Sequence, residues 1–270
     1  MIDRIASHSN ATIKRIRSLR DKKFRRLEGR FLAEGLRILT EALEAGVVPE
    51  ILVFAEGAHG HPLVEALIGA VEASGGQVIE TSRDILHKIT EKDNPQAVVG
   101  VYRQNPTLLA SVDRSSASIW VVCESLKDPG NLGTILRTCD AVGAGGVILL
   151  DASCDPFSVE SVRASMGALF TQTIVQSDGP GFFRWLRQGP GMLVGASLNT
   201  DTDYQAVTYT APTFVFMGNE QSGLPPEYEE ACDALVKLPM RGKADSLNVA
   251  VATAVLLYEV LNQQRRGTPA

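Results

Sequence analysis

The chain has 270 residues, of which 44% are hydrophobic and 21% charged, and its formal net charge is −5. This composition is typical of a globular protein and excludes a disordered chain, a collagen-like repeat and a disulfide-stapled miniprotein. At roughly 100–200 residues per domain, the length allows one or two domains.

The charge is divided unevenly along the chain. The first 37 residues hold eleven Lys or Arg against four Asp or Glu, a formal charge of +7. The rest holds fifteen basic and twenty-seven acidic side chains, a charge of −12, and the two parts give the net −5. A basic N-terminal block on an acidic body is typical of chains that bind nucleic acid or an anionic membrane. A solvated helix face is the alternative.

The first half of the chain predicts a small α/β domain over residues 1–105. Hydrophobic periodicity and glycine punctuation indicate helices at 31–45, 61–74 and 82–89 and strands at 50–54, 77–80 and 97–103. Residues 106–118 are polar and begin with Pro106, which predicts a linker.

The pattern restarts in a second predicted domain, residues 119–270. We expect strands at 119–123, 147–150, 173–176, 192–196, 214–217 and 235–238, and helices at 131–142, 159–170 and 246–264. Short apolar strands joined by helical crossovers predict a parallel sheet buried on both faces.

Cysteine usage and hydropathy bear on the compartment. The four cysteines form no C-x-x-C pair, which indicates reduced thiols in the cytoplasm. No run approaches the roughly 18 apolar residues of a membrane span, and the N-terminus lacks the apolar core of a signal peptide. A transit peptide is an open alternative, because the N-terminus is basic and amphipathic. We expect a cytoplasmic protein with no membrane partner.

Several chemistries are excluded by what the sequence lacks. All four histidines precede residue 90, so Ser-His-Asp and Cys-His catalysis cannot operate within the second domain. No phosphate-binding loop or dinucleotide fingerprint is present. His59 and His61 have no cysteine or paired carboxylates near them in sequence, so we expect no metal site.

Polar, glycine-marked loops follow three predicted strands, at the carboxyl ends where parallel sheets bind ligands. In the first loop Asn131 is a helix-cap candidate, and Arg137 follows in the helix. A purely structural role is the alternative for each: capping alone for Asn131, and a surface salt bridge for Arg137. In the second, Gly218 leaves the backbone open to a ligand and precedes Asn219 and Glu220.

The third loop runs into the last helix. Ser246 is a cap candidate there, and Asn248 lies in the first helical turn, where its amide would be free to face a ligand. Taken together, three such loops in one domain predict a functional site.

These loops resemble the motifs of the SpoU (TrmH-type) family of RNA ribose 2′-O-methyltransferases. The three family motifs match residues 131–143 (NLGTILRTCDAVG), 216–224 (FMGNEQSGL) and 238–258, in that order. The first domain is similar to the family's N-terminal substrate-binding domain through Lys14-Arg15-Ile16, Arg25-Arg26, residues 31–35 and Ile89-Thr90 with Asn94-Pro95-Gln96. The resemblance implies an α/β fold whose C-terminal parallel sheet carries a deep trefoil knot, preceded by a small ribosomal-protein-like α/β domain.

The resemblance also implies a cofactor and a set of site residues. The cofactor would be S-adenosylmethionine, held mostly by backbone groups of the loops at Gly218, Leu238 and Leu247. Met240, the strand-end loop near Ser197, and Asn219 would also belong to the site. The catalytic set would be Arg137, at the 2′-hydroxyl, helped by Asn131, Glu220, Ser246 and Asn248. RNA would contact Lys14, Arg15, Arg25 and Arg26. Because a free arginine stays protonated far above neutral pH, our hypothesis is that Arg137 stabilises the developing alkoxide rather than accepting the proton.

The resemblance further implies a homodimer formed through the last helix and an RNA substrate. The additional N-terminal domain favours ribosomal RNA. A tRNA 2′-O-methyltransferase, an antibiotic-resistance rRNA methyltransferase and a non-catalytic RNA-binding or ribosome-assembly protein on the same fold are the alternatives.

Overall fold

The computed structural model describes residues 2–91 and 97–267. Asn94, Pro95 and Gln96, which carry part of the resemblance to the substrate-binding domain, lie outside the described residues. The chain divides into two units. The first comprises Met1–Asn105 and Asp155–Thr171, and the second comprises Pro106–Cys154 and Gln172–Ala270.

The first unit is built on a five-stranded mixed sheet of order β1-β4-β3-β5-β2. Strands β1, β4 and β3 are parallel, whereas β5 is antiparallel to both β3 and β2. Its elements up to residue 105 are β1 (Ile2–Ile5), α1 (Ala11–Ser18), α2 (Lys22–Glu28), β2 (Arg30–Glu34), α3 (Leu36–Glu44), β3 (Ile51–Ala55), α4 (Pro62–Ala73), β4 (Gln77–Thr81), α5 (Arg83–Thr90) and β5 (Val98–Arg103).

The helix predicted at residues 31–45 is wrong in its first half. Phe31, Leu32 and Ala33 are consecutive buried residues of β2, which pairs with β5. Gly35 then turns the chain with a φ of 103°, a conformation that favours glycine, and α3 begins at Leu36. Apolar residues at 31, 32 and 36 fit the helical period by chance, while their actual partners lie about seventy residues away in sequence.

The second unit is a six-stranded sheet of order β11-β9-β10-β6-β7-β8, with every pair parallel as predicted. Its elements are β6 (Ile119–Glu124), α6 (Pro129–Val142), β7 (Gly146–Leu150), β8 (Thr173–Ser177), α8 (Gly179–Leu186), β9 (Met192–Ala196), β10 (Thr213–Met217), α9 (Pro226–Glu230), β11 (Ala234–Val236) and α10 (Val249–Gly267); between β7 and β8, α7 (Val159–Ser165) belongs to the first unit. The strands are almost wholly buried, and α10 packs against α6, β10 and β6. Buried aromatic rings of Trp120, Phe182, Phe214 and Phe216 fill one side of the core.

The predicted domain boundaries need two corrections. Residues 155–171 lie in the first unit although they interrupt the second in sequence. Phe157 packs on Phe31 with ring centroids 5.1 Å apart, and Phe170 packs on Tyr102 at 4.7 Å. These ring contacts explain why the segment belongs to the first unit. The sequence did not reveal them, because the paired residues lie far apart along the chain.

Residues 106–118, predicted as a linker, are part of the second unit. Thr107 donates its N–H to the carbonyl of Ile174, and Trp120 donates its indole N–H to Arg114 O at 3.1 Å. The Arg114 guanidinium donates to the carbonyls of Trp185 and Leu186 and stacks 4.0 Å above the Trp185 ring. Polar composition indicated a loop correctly, but these bonds hold it against the unit.

Within the described ranges, none of the helices is both long and apolar enough to cross a membrane.

Candidate active site

A cavity of about 300 Å³ opens at the carboxyl ends of β9, β10 and β11 in the second unit. Because the strands are parallel, the loops that follow them meet at one edge of the sheet. The volume lies at the lower end of the roughly 300–1,000 Å³ typical of small-molecule sites. All six residues predicted to hold the cofactor line it, namely Ser197, Gly218, Asn219, Leu238, Met240 and Leu247, together with Glu220 and Ser246 of the predicted catalytic set.

Gly218 is required by the chain itself. A Cβ at this position would overlap the backbone of Gly223 and Leu224, which fold back against it. Asn219 closes the turn, because its N–H and carbonyl both bond to Gly223 at 3.0 Å. The absence of a side chain at Gly218 therefore permits this tight chain reversal.

The Asn219 side chain bonds both within its own loop and to the loop after β6. Its Oδ1 accepts from the N–H groups of Gln221 and Ser222, and its Nδ2 donates to Ser125 O at 2.8 Å. Ser125 directly follows β6 and has a positive φ of 43°. Asn219 thus ties the loop after β10 to the loop after β6.

Glu220 binds the start of α6. Its carboxylate accepts from Lys127 N at 3.1 Å, from Asp128 N at 3.0 Å and from Asn131 Nδ2 at 3.4 Å. Partial burial alone would raise the pKa of Glu220, but these donors and its own backbone N–H outweigh it and hold the pKa below its ordinary value. A carboxylate stabilised in this way is a poor proton acceptor and a good anchor.

Two asparagines extend this contact to the last helix. Asn248 Nδ2 donates to Asn131 Oδ1 at 2.9 Å, and Asn131 in turn donates to Glu220. The chain Asn248–Asn131–Glu220 therefore joins one residue from each of the three polar loops. The sequence placed these residues in three separate motifs, and the fold brings them into hydrogen-bond contact.

Both helix caps differ from the sequence prediction. Helix α6 begins at Pro129 and is capped by Asp128, whose Oδ1 accepts from Asn131 N at 2.9 Å. Helix α10 is capped by Asn248, whose Oδ1 accepts from Ala250 N at 2.9 Å, and not by Ser246. The Asn248 amide is therefore not free as predicted. Asn131 is released from capping, so its amide is available for the contacts above.

These caps give a testable contrast. Asp128→Ala is expected to lower the free energy of unfolding by about 1 kcal/mol, because it removes the N-cap of α6. Thr134→Ala, at an exposed position of the same helix, should change it by less than about 0.5 kcal/mol. Urea titration of the two variants measures the difference. Equal stabilities of the two variants would mean that Asp128 does not support the helix as its N-cap.

Arg137 is exposed in the third turn of α6 and does not line the cavity. Among the residues that the structure describes, its guanidinium has neither an ion pair nor a hydrogen bond, so the salt-bridge alternative finds no support. Ser246 is exposed in the loop before α10 and does line the cavity.

Two polar residues that line the cavity, Asn199 and Glu229, lie outside the three motif loops and were not predicted from the sequence. Glu229 on α9 accepts from Ser197 Oγ at 2.5 Å, and Asn199 Nδ2 donates to its two carboxylate oxygens at 3.2 and 3.1 Å. Asn199 carried a signal, because it follows a predicted strand. Glu229 carried none, since it stands in an acidic stretch of a short helix.

The predicted RNA-binding residues lie in the first unit and divide into two groups. Lys14 and Arg15 of α1 and Arg26 of α2 are exposed. Arg25 is only 3% exposed, and its guanidinium donates to Asp155 Oδ2 at 2.8 and 3.0 Å and to the carbonyl of Leu19. The prediction is wrong for Arg25, which lies on the inner face of α2.

Comparisons with known proteins match almost the whole chain. The model of the SpoU rRNA Methylase family matches residues 118–258, and that of the MRM3-like substrate binding domain matches residues 10–100. These two matches include all three motif loops and the exposed basic residues of α1 and α2.

Individual relatives and a solved structure agree with these matches. The chain is 31% identical over 257 residues to the 23S rRNA (guanosine(2553)-2′-O)-methyltransferase RlmP of Bacillus subtilis, covering 95% of this chain and 98% of the relative. It is 32% identical over 249 residues to the 23S rRNA (uridine(2479)-2′-O)-methyltransferase of Streptomyces viridochromogenes, covering 90% and 86%. The AdoMet-bound crystal structure of an rRNA methyltransferase from Sinorhizobium meliloti is 38% identical with a TM-score of 0.90, covering 100% of this chain and 99% of that one.

Proposed function

Because the chain belongs to the SpoU rRNA methylase family, we propose that it transfers the methyl group of S-adenosylmethionine to a ribose 2′-hydroxyl of 23S ribosomal RNA. The observation that carries this proposal is the Asn248–Asn131–Glu220 chain, which joins the three motif loops beside the cavity. A ribosome substrate also implies that the protein works in the cytoplasm.

The cavity suits the cofactor chemically. Leu238, Met240, Leu247 and Val249 provide apolar surface for an adenine and a methionine chain, and Gly218 lines the cavity without a side chain. When bound, S-adenosylmethionine supplies a methyl group on a sulfonium centre. Five of the six predicted cofactor residues would act here through backbone or apolar contact, and Ser197 has a polar partner in Glu229.

The catalytic roles that we propose follow from charge and position. Arg137 contacts the phosphate and 2′-hydroxyl of the target nucleotide and stabilises the developing alkoxide. Glu220 holds the start of α6, and Asn131 and Asn248 fix the loops against each other. Ser246 lies where it can contact the cofactor or the ribose. Aligning the two reactants supplies much of the rate increase in such a transfer.

We propose that the first unit binds the RNA backbone through Lys14, Arg15 and Arg26. Replacing Lys14 and Arg26 together by glutamine should weaken RNA binding and reduce the slope of log affinity against log salt concentration by about 1 for each phosphate that is no longer neutralised. Filter binding at several salt concentrations measures the slope. Arg83→Gln, in the same unit on α5, is the matched control. An unchanged slope would mean that other residues neutralise the phosphates.

We further propose the trefoil knot implied by the family, and a homodimer formed through α10. Val251 and Tyr258 of α10 are 50% and 53% exposed, which leaves apolar surface to be covered. Light scattering should give about twice 29.0 kDa at micromolar concentration. A mass of one chain would contradict the dimer.

Mapping of ribose methylation in total RNA tests the function directly. RNA from cells that contain the protein should carry one 2′-O-methyl group that is absent from cells without it, in 23S rRNA. A methyl group that appears only in tRNA would overturn the proposed substrate. No methylation difference, together with retained RNA binding, would favour a non-catalytic ribosome-assembly role.

A further inference from the structure

We propose that Glu229 is a cofactor-binding residue that accepts a hydrogen bond from a ribose hydroxyl of S-adenosylmethionine; this rests on the proposed function. Glu229 lines the cavity, although it lies outside the three motif loops. It has a defined orientation, because Ser197 Oγ and Asn199 Nδ2 both donate to it. Ser197 is itself fixed, since its Oγ accepts from Asn199 N at 2.9 Å.

The position of Glu229 in the sheet separates it from the reacting groups. Ser197 and Asn199 follow β9, whereas Glu220 follows β10 and its partner Asn131 lies after β6. In the sheet order β11-β9-β10-β6, strands β9 and β6 flank β10, so Glu229 is bonded to the loop on one side of β10 and Glu220 to the loop on the other, with neighbouring strands about 4.8 Å apart. The sulfonium must lie near Glu220 and Arg137 if the methyl group is to reach the RNA, so Glu229 meets a part of the cofactor away from the methyl group.

Among the parts of the cofactor away from the methyl group, the ribose is the best partner for a carboxylate. The amino-acid end of the cofactor carries a carboxylate next to its ammonium group, so a single acidic side chain there would attract one charge and repel the other. Adenine offers one amino donor and several ring acceptors. The ribose diol offers two hydroxyl donors with no opposing charge.

Glu229 also has acceptor capacity left. A carboxylate has about four lone-pair sites. Ser197 and Asn199 use two on Oε1, and Asn199 uses one on Oε2. Among the described residues no further donor to Oε2 is found, which leaves that oxygen for a hydroxyl in the cavity. Hydrogen bonds to a charged acceptor are stronger than neutral ones, so the contact should contribute measurably to affinity.

Calorimetry with a matched pair of variants tests the assignment. Glu229→Gln is compared with Glu230→Gln, an exposed neighbour on the same helix that does not line the cavity. The probes are S-adenosylmethionine, S-adenosylhomocysteine, its 2′-deoxy and 3′-deoxy analogues, and 5′-methylthioadenosine, which has the ribose but lacks the amino acid. We expect Glu229→Gln to lower the affinity for S-adenosylhomocysteine and for 5′-methylthioadenosine by about tenfold each. Glu230→Gln should bind both with the affinity of wild type.

The analogues identify the contact independently of folding. Removing the ribose hydroxyl that Glu229 binds should lower the affinity of wild type by about tenfold, so one of the two deoxy analogues should bind more weakly. The affinity of Glu229→Gln should fall little further with that analogue. Equal binding of S-adenosylhomocysteine by wild type and Glu229→Gln would overturn the proposal. The proposal would also be overturned if Glu229→Gln lost affinity only for ligands that carry the amino acid, because Glu229 would then contact the ammonium group. Failure of wild type to bind S-adenosylmethionine would instead overturn the proposed function itself.

Discussion

Arg137→Ala is expected to lower kcat for RNA methylation by about two to three orders of magnitude, the usual effect of removing a group that stabilises a developing oxyanion. Arg137→Lys keeps the positive charge but loses the planar fork that can contact a phosphate and a hydroxyl together, so we expect a loss of about tenfold or more. Affinity for S-adenosylmethionine should stay unchanged in both variants, because Arg137 does not line the cavity. Single-turnover methylation of a 23S rRNA fragment, paired with calorimetry, measures the two quantities.

Arg184→Ala is the matched control, since Arg184 is also an exposed arginine on a helix of the second unit. It should methylate at the wild-type rate. If Arg137→Lys also did so, charge alone would suffice and the bidentate contact would be refuted. A large loss of cofactor affinity in Arg137→Ala would show that Arg137 acts through the cavity and not on the RNA.

The second large effect is expected on stability, from Asp155→Ala. The Arg25 and Asp155 side chains are only 4% and 12% exposed and are joined at 2.8 Å. Removing the carboxylate leaves a buried guanidinium with carbonyl partners alone, which costs about 3–5 kcal/mol. The first unit of the variant should therefore unfold at a clearly lower urea concentration than that of wild type. A urea titration monitored by circular dichroism measures the shift.

A matched acid in the same segment provides the control. Glu160 is exposed on α7, so Glu160→Ala should cost no more than about 1 kcal/mol. Adding Arg25→Met to Asp155→Ala should recover part of the stability, because the buried charge is then gone. If Asp155→Ala behaved like Glu160→Ala, the buried ion pair would not contribute as the geometry implies.

The second unit was largely predictable because its signals are local. Strand β9 was predicted at its observed residues, 192–196, and the central strands β6, β7 and β10 are short, fully buried apolar runs. Parallel pairing then followed from the helical crossovers, and it placed the polar loops at one edge. The contact of Asn248 with Asn131 is consistent with that placement.

The remaining features depend on contacts between residues distant in sequence. The basic pattern could not distinguish Arg25 from Arg26, because only the tertiary fold decides which face of α2 is buried. Asp128 and Asn131 are both good cap residues by type, and the start of α6 at Pro129 selects Asp128. Glu229 became visible as a site residue only through its bonds to Ser197 and Asn199.

The insertion of residues 155–171 into the first unit limits how this protein can be recombined. The chain passes between the units after residues 105, 154 and 171. A fragment that ends at residue 105 would lack the counter-charge of Arg25 and the ring that covers Phe31. Exchange of the first unit between relatives would need both segments to be transplanted together. Changes that reshape this unit therefore involve two separate stretches of sequence.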